Sequence, residues 1–392
     1  MTALLTILIV LSGLPVLVWV SRHLMINRER RSGVVLSEAF DGPRAGPRIS
    51  VVVAAKDEEK VIEACVRGML SQDYQNMEMV AVNDRSGDHT SEILHRLAAA
   101  DGRLKVIDLD HLEPGWCGKN HAMQHGVAAT SGEWIVMTDA DCRQISPRSL
   151  SIAVEYAQQK KADMLSMLPN LEMLTFWEAV VQPVCSALMM IWFHPDKVND
   201  PSKPHAYANG AFMMIRREAY EKLGTHEALK DKLNEDMHMA LRVKQGGGLV
   251  QMVRNEGLCI VRMYTSLREI IRGWSRIYFG TFGTLGRLLA TLVLMVEVSI
   301  VPYLAALAGL LGAMLDAPSR SLWVALGLVG LAGVILQTTV IYRFYRLVGI
   351  RVHLTWAYLL GCLVAVAALV MSLSKLRKGS SVAWRNTVYV KN

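Results

Sequence analysis

The sequence predicts an α/β protein held at a membrane, with a mostly parallel sheet domain set between an N-terminal apolar helix and a C-terminal group of them. Three observations lead there. Long stretches of the chain carry no charge, strand-like runs alternate with helical ones through the middle, and those strands end in carboxylates.

At 392 residues, 52% hydrophobic and a formal net charge of +7, the chain is long for one soluble domain and oily for two. Residues 1–21, Ser321–Tyr342 and Leu354–Ser374 are uncharged, and Leu288–Leu315 holds only Glu297. Each can cross a hydrocarbon core of about 30 Å at about 1.5 Å per residue, so four membrane helices are predicted. The first lacks a basic stretch ahead of its apolar run. "RHLMINRERR" follows it where a signal peptide would have a small-residue cleavage site, so residues 1–21 read as a retained anchor. By the positive-inside rule, Arg22, Arg28, Arg30 and Arg31 place the long middle segment in the cytoplasm, with a bacterial inner membrane as the expected location. The six cysteines (Cys65, Cys117, Cys142, Cys185, Cys259 and Cys362) form no CxxC pair and read as reduced packing residues.

From Ser50 to about Gly280 the pattern changes. "ISVVVAA" (49–55), "MEMVAVND" (77–84), "LKVIDLD" (104–110), "EWIVMTDAD" (133–141) and "ADMLSMLP" (162–169) read as strands. "EKVIEACVRGMLSQ", "SEILHRLAAA", "KNHAMQHGVAA" and "PRSLSIAVEYAQQ" between them have helical spacing. Such alternation implies βαβ crossovers and helices on both faces of the sheet.

A ligand on an open α/β sheet sits beyond the carboxyl ends of the strands. Those ends read "AAKDEE", "NDRSGDHT" and "DADC". Gathered carboxylates repel one another unless a cation neutralises them, and oxygen ligands point to Mg²⁺ or Mn²⁺, ions that usually bring substrate phosphates. Spacing i, i+2 would let Asp139 and Asp141 face one side of an extended strand end. "PGWCGKNHAM" (114–123) sets Gly115 and Gly118 around a turn leading to Lys119 at a helix start, where free N–H groups favour an anion. It lacks P-loop spacing.

The ordered set "VVVAAKDEE", "VNDRSGD", "GWCGKNHAM", "TDAD", "NEDMHMALRVKQGG" and "IIRGWSR" resembles the family 2 glycosyltransferases of GT-A fold, a Rossmann-like sheet domain. Within that family it is similar to membrane enzymes acting on lipids, such as ceramide, carotenoid and hopanoid-associated glycosyltransferases. The resemblance covers roughly residues 48–285, which leaves 1–21 as anchor, 286–374 as C-terminal membrane region and 375–392 as a basic tail. It implies that Ala55, Asp57 and Glu58 line a nucleoside pocket, that Asp84 contacts base or ribose, and that Lys119 lies near the diphosphate. Asp139 and Asp141 would hold sugar and metal. Glu235 and Asp236 match the family's acidic pair, with Asp236 the candidate general base, and Trp274, flanked by Arg272 and Arg276, falls near the (Q/R)xxRW position. That motif is absent in its usual form, which weighs against a processive role.

The implied reaction moves a sugar from a nucleotide diphosphate sugar, UDP-glucose foremost, to a hydroxyl of a membrane lipid, with no nucleic acid involved. Direct attack inverts the anomeric centre, and no residue stands out as a nucleophile for double displacement. A polysaccharide synthase and a non-catalytic membrane scaffold are the alternatives. Local readings also stand: Asp57 and Glu58 suit a helix cap, Asp84 and Asp88 a turn, and Glu235 and Asp236 a helix first turn. His121 and His125 have metal-ligand spacing, yet without HExxH or a third ligand they read as packing or surface residues. Trp274 equally suits an interfacial anchor.

Two membrane features complete the reading. "FWEAVVQPVCSALMMIWF" (176–193) reads as an interfacial helix, since a full crossing there would separate Asp236 from Asp139. The tail carries Lys375, Arg377, Lys378, Arg385 and Lys391 with no acid and so reads as cytoplasmic, which is consistent if Glu297 and Pro302 break Leu288–Leu315 into a re-entrant segment. "VAWRNTVYV" alternates like a strand.

Overall fold

Valine-rich runs that are apolar on both sides are stable only when both faces are covered, and the central strands meet that condition. The computed structural model describes residues 2–32, 34–376, 381–384 and 387–390. It divides into two compact units, one of residues 34–172, 190–263 and 381–392 and one of residues 1–33, 173–189 and 264–380.

The first unit holds β1 (Val35–Ser37), β2 (Ile49–Ala55), β3 (Met77–Asp84), β4 (Leu104–Leu109), β5 (Trp134–Asp139), β6 (Cys142–Gln144), β7 (Met164–Leu168), β8 (Asn170–Leu171), β9 (Met213–Arg216), β10 (Val250–Glu256) and β11 (Cys259–Val261). Eight form one sheet in the order β1-β10-β7-β9-β5-β2-β3-β4, while β6, β11 and β8 form a small second sheet. Helices Ile62–Leu70, Thr90–Ala100, Gly118–Ala128 and Ser149–Gln159 fall where the periodicity predicts them. In β2, Ile49, Val51, Val52 and Val53 are fully buried.

The sheet is mixed. β9 runs antiparallel to both β5 and β7, while the other neighbours are parallel. The alternation reading misses β9, a four-residue strand that passes directly into the helix Arg217–Lys222. It also misses β10, whose "VQMVRNE" buries polar residues. There Asn255 donates from Nδ2 to the carbonyls of Leu168 (2.7 Å) and Cys259 (3.2 Å), and its Oδ1 accepts the N–H groups of Leu258 and Cys259. Residues 133–141 do not form one extended strand. The strand ends at Asp139, and Ala140 and Asp141 make the turn into β6 of the other sheet, so strand pleat does not relate the two aspartates.

In the second unit and its flank, five segments are long and apolar enough to cross a membrane: Thr2–Arg28, Phe176–Val198, Leu285–Leu315, Arg320–Leu347 and Val352–Ser374. Phe176–Val198 thus qualifies by length and composition, where the sequence reading has an interfacial helix. Its buried Glu178 serves as a cap: Oε2 accepts the N–H groups of Leu174 (2.6 Å) and Thr175 (3.0 Å) at the helix start. The expected break at Glu297 and Pro302 is absent, because Leu285–Met295, a π turn at Val296–Ile300 and Val301–Leu315 are continuous helix. Pro302 has no N–H for the Val298 carbonyl four residues back, and the indole N–H of Trp19 donates to that carbonyl instead (2.9 Å). Gln337 likewise serves the Ser299 carbonyl (3.2 Å), and Ser299 Oγ meets the Tyr358 hydroxyl (3.0 Å).

All six cysteines are buried thiols. Residues 381–384 and 387–390 pair as an antiparallel hairpin rather than one strand. Arg377, Lys378, Arg385 and Lys391, on which the tail's placement rests, lie outside the described residues.

The helix Gly118–Ala128 lies on β2 and β3, its Ala122 packed with Val80 and Val82. A Cβ at Gly126 would fall 2.5 Å from Val52 Cγ1 and 2.9 Å from Val82 Cγ2. Overpacking of about 1–3 kcal/mol exceeds the roughly 0.5–1 kcal/mol that alanine gains in a helix, so Gly126→Ala is expected to lower the thermal midpoint of the detergent-solubilised protein. An unchanged midpoint would contradict this packing.

Candidate active site

Strand order decides where a site can form. From β2 the chain proceeds to β3 and β4 on one side and then returns to β5 on the other, which opens a crevice at the carboxyl ends of β2 and β5. Ala54 and Asp139 pair across that junction. Ala55 is buried at the end of β2.

The loops after β2 and β3 are tied together by short polar bonds. Gly87 N–H donates to Asp57 Oδ1 (2.8 Å), Asp57 N–H to Ser86 Oγ (3.1 Å), Glu58 N–H to Thr90 Oγ1 (2.8 Å) and Glu59 N–H to Asp88 Oδ2 (3.1 Å). Asp57 and Arg85 both have φ of 55°, in the left-handed region that costs a non-glycine residue about 1–3 kcal/mol. Asp57 and Asp88 therefore spend carboxylate oxygens on loop geometry. Asp84, 3% exposed, is held by both arms of Arg85 (2.8 and 3.1 Å).

The carboxylates gather around one ammonium group. Lys119, in the first turn of Gly118–Ala128, places Nζ 2.5 Å from Asp139 Oδ1 and 2.5 Å from Glu235 Oε1. The first contact is a directed hydrogen bond; the second is a close ion pair without hydrogen-bond alignment. Burial by itself would lower the Lys119 pKa, but Asp139, Glu235 and Asp236 together hold it above the ordinary lysine value. Glu235 and Asp236 open the helix Glu235–Gln245, where the dipole favours acids.

Asp236 remains partly accessible. Its Oδ2 accepts the N–H of Gly210 (3.0 Å) and its Oδ1 that of Met237 (2.8 Å). Desolvation, and then the Glu235 charge, raise its pKa to about 7.

Gly210, Tyr207 and His226 complete the cluster and are invisible to the motif reading. A Cβ at Gly210 would lie 3.0 Å from Lys119 Nζ and 3.1 and 3.4 Å from the two Asp139 carboxylate oxygens. The missing side chain lets the backbone come close to the Lys119–Asp139 pair. Burial, and then Asp236, push the Tyr207 phenol up. His226, fully buried, bonds through Nδ1 to the Tyr220 hydroxyl (2.7 Å), and burial together with Lys119 lowers it to about 3, so it stays neutral. The sequence signal for Gly210 was its place in "YANGAF" just before an apolar strand.

Asp141, half-buried, and Asp139 with Glu58 surround the buried Cys65 thiol, whose pKa is driven up first by burial and then by those charges. The acids at the ends of β2 and β5 thus share one locality. The carboxylate oxygens of Asp139 and Asp141 are donors of the kind a hard divalent ion takes. Trp274 belongs to the other unit, where it is 4% exposed and lies against Tyr278 (5.5 Å between rings) in the helix Leu267–Phe282. Arg272 is exposed and Arg276 half-buried on the same helix.

The mixed eight-stranded sheet with acids at its carboxyl edge is a GT-A-like fold. Residues 50–224, a little under half of the chain, match the model of glycosyl transferase family 2. It is 23% identical over 262 residues to the 4,4'-diaponeurosporenoate glycosyltransferase of Staphylococcus haemolyticus, spanning 66% of this chain and 67% of that protein. It is 27% identical over 201 residues to the beta-monoglucosyldiacylglycerol synthase of Trichormus variabilis, covering 50% of this chain but only 41% of that one. In fold it is similar to a mannosyltransferase from Pyrobaculum calidifontis in complex with GDP-Man and Mn²⁺, with a TM-score of 0.54 at 17% identity over 94% of this chain and all of that one.

Removing Lys119 would leave Glu235, 4% exposed, as an uncompensated buried charge. Lys119→Met is expected to cost about 3–5 kcal/mol, read as a lowered thermal midpoint, with partial recovery in Lys119→Met/Glu235→Gln. Equal midpoints for wild type and Lys119→Met would show that the ion cluster is not a structural element.

Proposed function

We propose that the protein transfers a hexose, with inversion, from a nucleotide diphosphate sugar to a hydroxyl of a membrane lipid, UDP-glucose being the first donor to test. The observation that carries the proposal is the cluster of Lys119, Asp139, Glu235 and Asp236 around Gly210. The relatives named for a carotenoid acid and a diacylglycerol lipid, and five segments able to cross a membrane, support a lipid acceptor. Arg22 and Arg28 at the end of the first apolar helix favour a cytoplasmic site.

Asp139 and Asp141 would hold Mg²⁺ or Mn²⁺, which when bound supplies electrostatic stabilisation of the departing diphosphate. Lys119 adds a fixed positive charge at the same place, in a setting where charge is poorly screened. Asp84, with the loop carboxylates Asp57 and Glu58, would orient the nucleoside at the ends of β2 and β3. Asp236, with a proton affinity near neutrality and lone pairs left on both oxygens, would take the acceptor hydroxyl proton as the oxygen attacks the anomeric carbon. Glu235, bound to Lys119, would keep that lysine aimed at Asp139 and raise the basicity of its neighbour.

The direct test is incubation of purified protein with a panel of radiolabelled nucleotide sugars and host lipid extract, with identification of the product. Transfer to lipid is expected; labelled polymer instead would favour a polysaccharide synthase. Asp141→Ala, or excess EDTA with the wild type, should abolish turnover without loss of folded protein. Full activity in EDTA would remove the metal from the reading.

Asp236→Asn should bind donor normally and lose about 10²-fold or more in turnover. Because the base works deprotonated, the wild-type rate should climb as pH rises through about 7. A flat profile from pH 5 to 9, or an unimpaired Asp236→Asn enzyme, would shift the role to another group.

A further inference from the structure

A second group of metal-ligating side chains lies apart from Asp139 and Asp141 in sequence and in chemistry. His121 and His125 sit one turn apart on Gly118–Ala128, and the sequence offered no third ligand for them. The fold provides one. Glu113, from the loop after β4, comes up to the same ring atoms.

His121 Nε2 lies 3.3 Å from His125 Nε2 and 3.9 Å from Glu113 Oε1, and the three ligand atoms are all within 4.8 Å of one another. Around a tetrahedral zinc ion with metal–nitrogen bonds of about 2.0–2.1 Å, neighbouring ligand atoms stand about 3.3–3.4 Å apart. The histidine pair already has that separation. The exposed Glu113 side chain is able to bring its carboxylate closer to both rings by torsion.

The surroundings are those of a site with a fixed wall and an open side. His121 is 1% exposed, its Nδ1 has no hydrogen-bond partner, and the rings of Trp116 and His111 stand edge-on to it at 5.6 and 6.1 Å. His125 and Glu113 face solvent and leave an entry path. Two neutral imidazoles facing each other can share one N–H···N bond, whereas a cation would use a lone pair from each and from the carboxylate.

We propose that Glu113, His121 and His125 form a cation site for Zn²⁺ or a similar borderline transition ion, with water in the fourth position. Imidazole nitrogen selects such ions over Mg²⁺, which prefers the all-oxygen set at Asp139 and Asp141. A bound ion would join the loop 110–117 to the helix that carries Lys119 in its first turn, and so brace the start of that helix. This inference stands independently of the transferase reading.

The test uses full-length detergent-purified protein stripped with EDTA, with Co²⁺ as a spectroscopic probe and Asp139→Asn/Asp141→Asn to silence the oxygen site. One equivalent of Co²⁺ should bind with the visible bands of four-coordinate cobalt, displaced by Zn²⁺ but not by excess Mg²⁺. Glu113→Gln/His125→Gln, which changes only exposed side chains, should keep its thermal midpoint and weaken Co²⁺ binding by about 10²-fold. Should the aspartate variant not fold, wild type saturated with Mg²⁺ serves in its place. No visible bands, or equal Co²⁺ binding in Glu113→Gln/His125→Gln, would reduce the group to a hydrogen-bonded histidine pair and overturn the site.

Discussion

Much of the site hangs on one buried ammonium. Lys119 reaches Asp139 from β5 and Glu235 from a helix nearly a hundred residues further on. Three acids at one place would repel, and the single cation offsets only part of their charge. The remainder falls on Asp236, whose neutral form is favoured by burial and by the Glu235 charge beside it. An acid with a proton affinity near neutrality is thus a by-product of how the lysine is shared.

That arrangement requires a backbone that comes close to the charges without a side chain in the way. Gly210 meets the requirement twice, by having no Cβ to crowd the Lys119–Asp139 pair and by giving its N–H to Asp236. The helix carrying Lys119 is in turn seated by Gly126, which lets it approach Val52 and Val82. Close approach at two glycines therefore sets the distance between the lysine and the acids.

In the other unit the same economy of polar groups appears under stricter solvent conditions. A proline and a glutamate inside an apolar helix would break it if the freed carbonyls had no donors. Trp19 and Gln337 supply those donors at Val298 and Ser299, and the helix widens by a π turn and continues. Here the expectation of a re-entrant break failed because the rescuing groups come from segments far away in sequence.

The sequence by itself determined the parts governed by local periodicity and by strand-end chemistry: the buried strands β2 to β5, the helices between them, the apolar segments, and the placing of Asp139, Lys119 and Asp236 among candidate site residues. Apolar alternation and carboxylates at strand ends are local signals, so they survive without coordinates. Only the folded chain shows the antiparallel insertion of β9, the turn rather than pleat that relates Asp139 to Asp141, the sharing of Lys119 between two acids, and the positions of Gly210, His226 and Glu113. Each of these depends on contacts between residues distant in the chain, and a glycine, a neutral histidine or a loop glutamate carries no local mark of the neighbour it will meet.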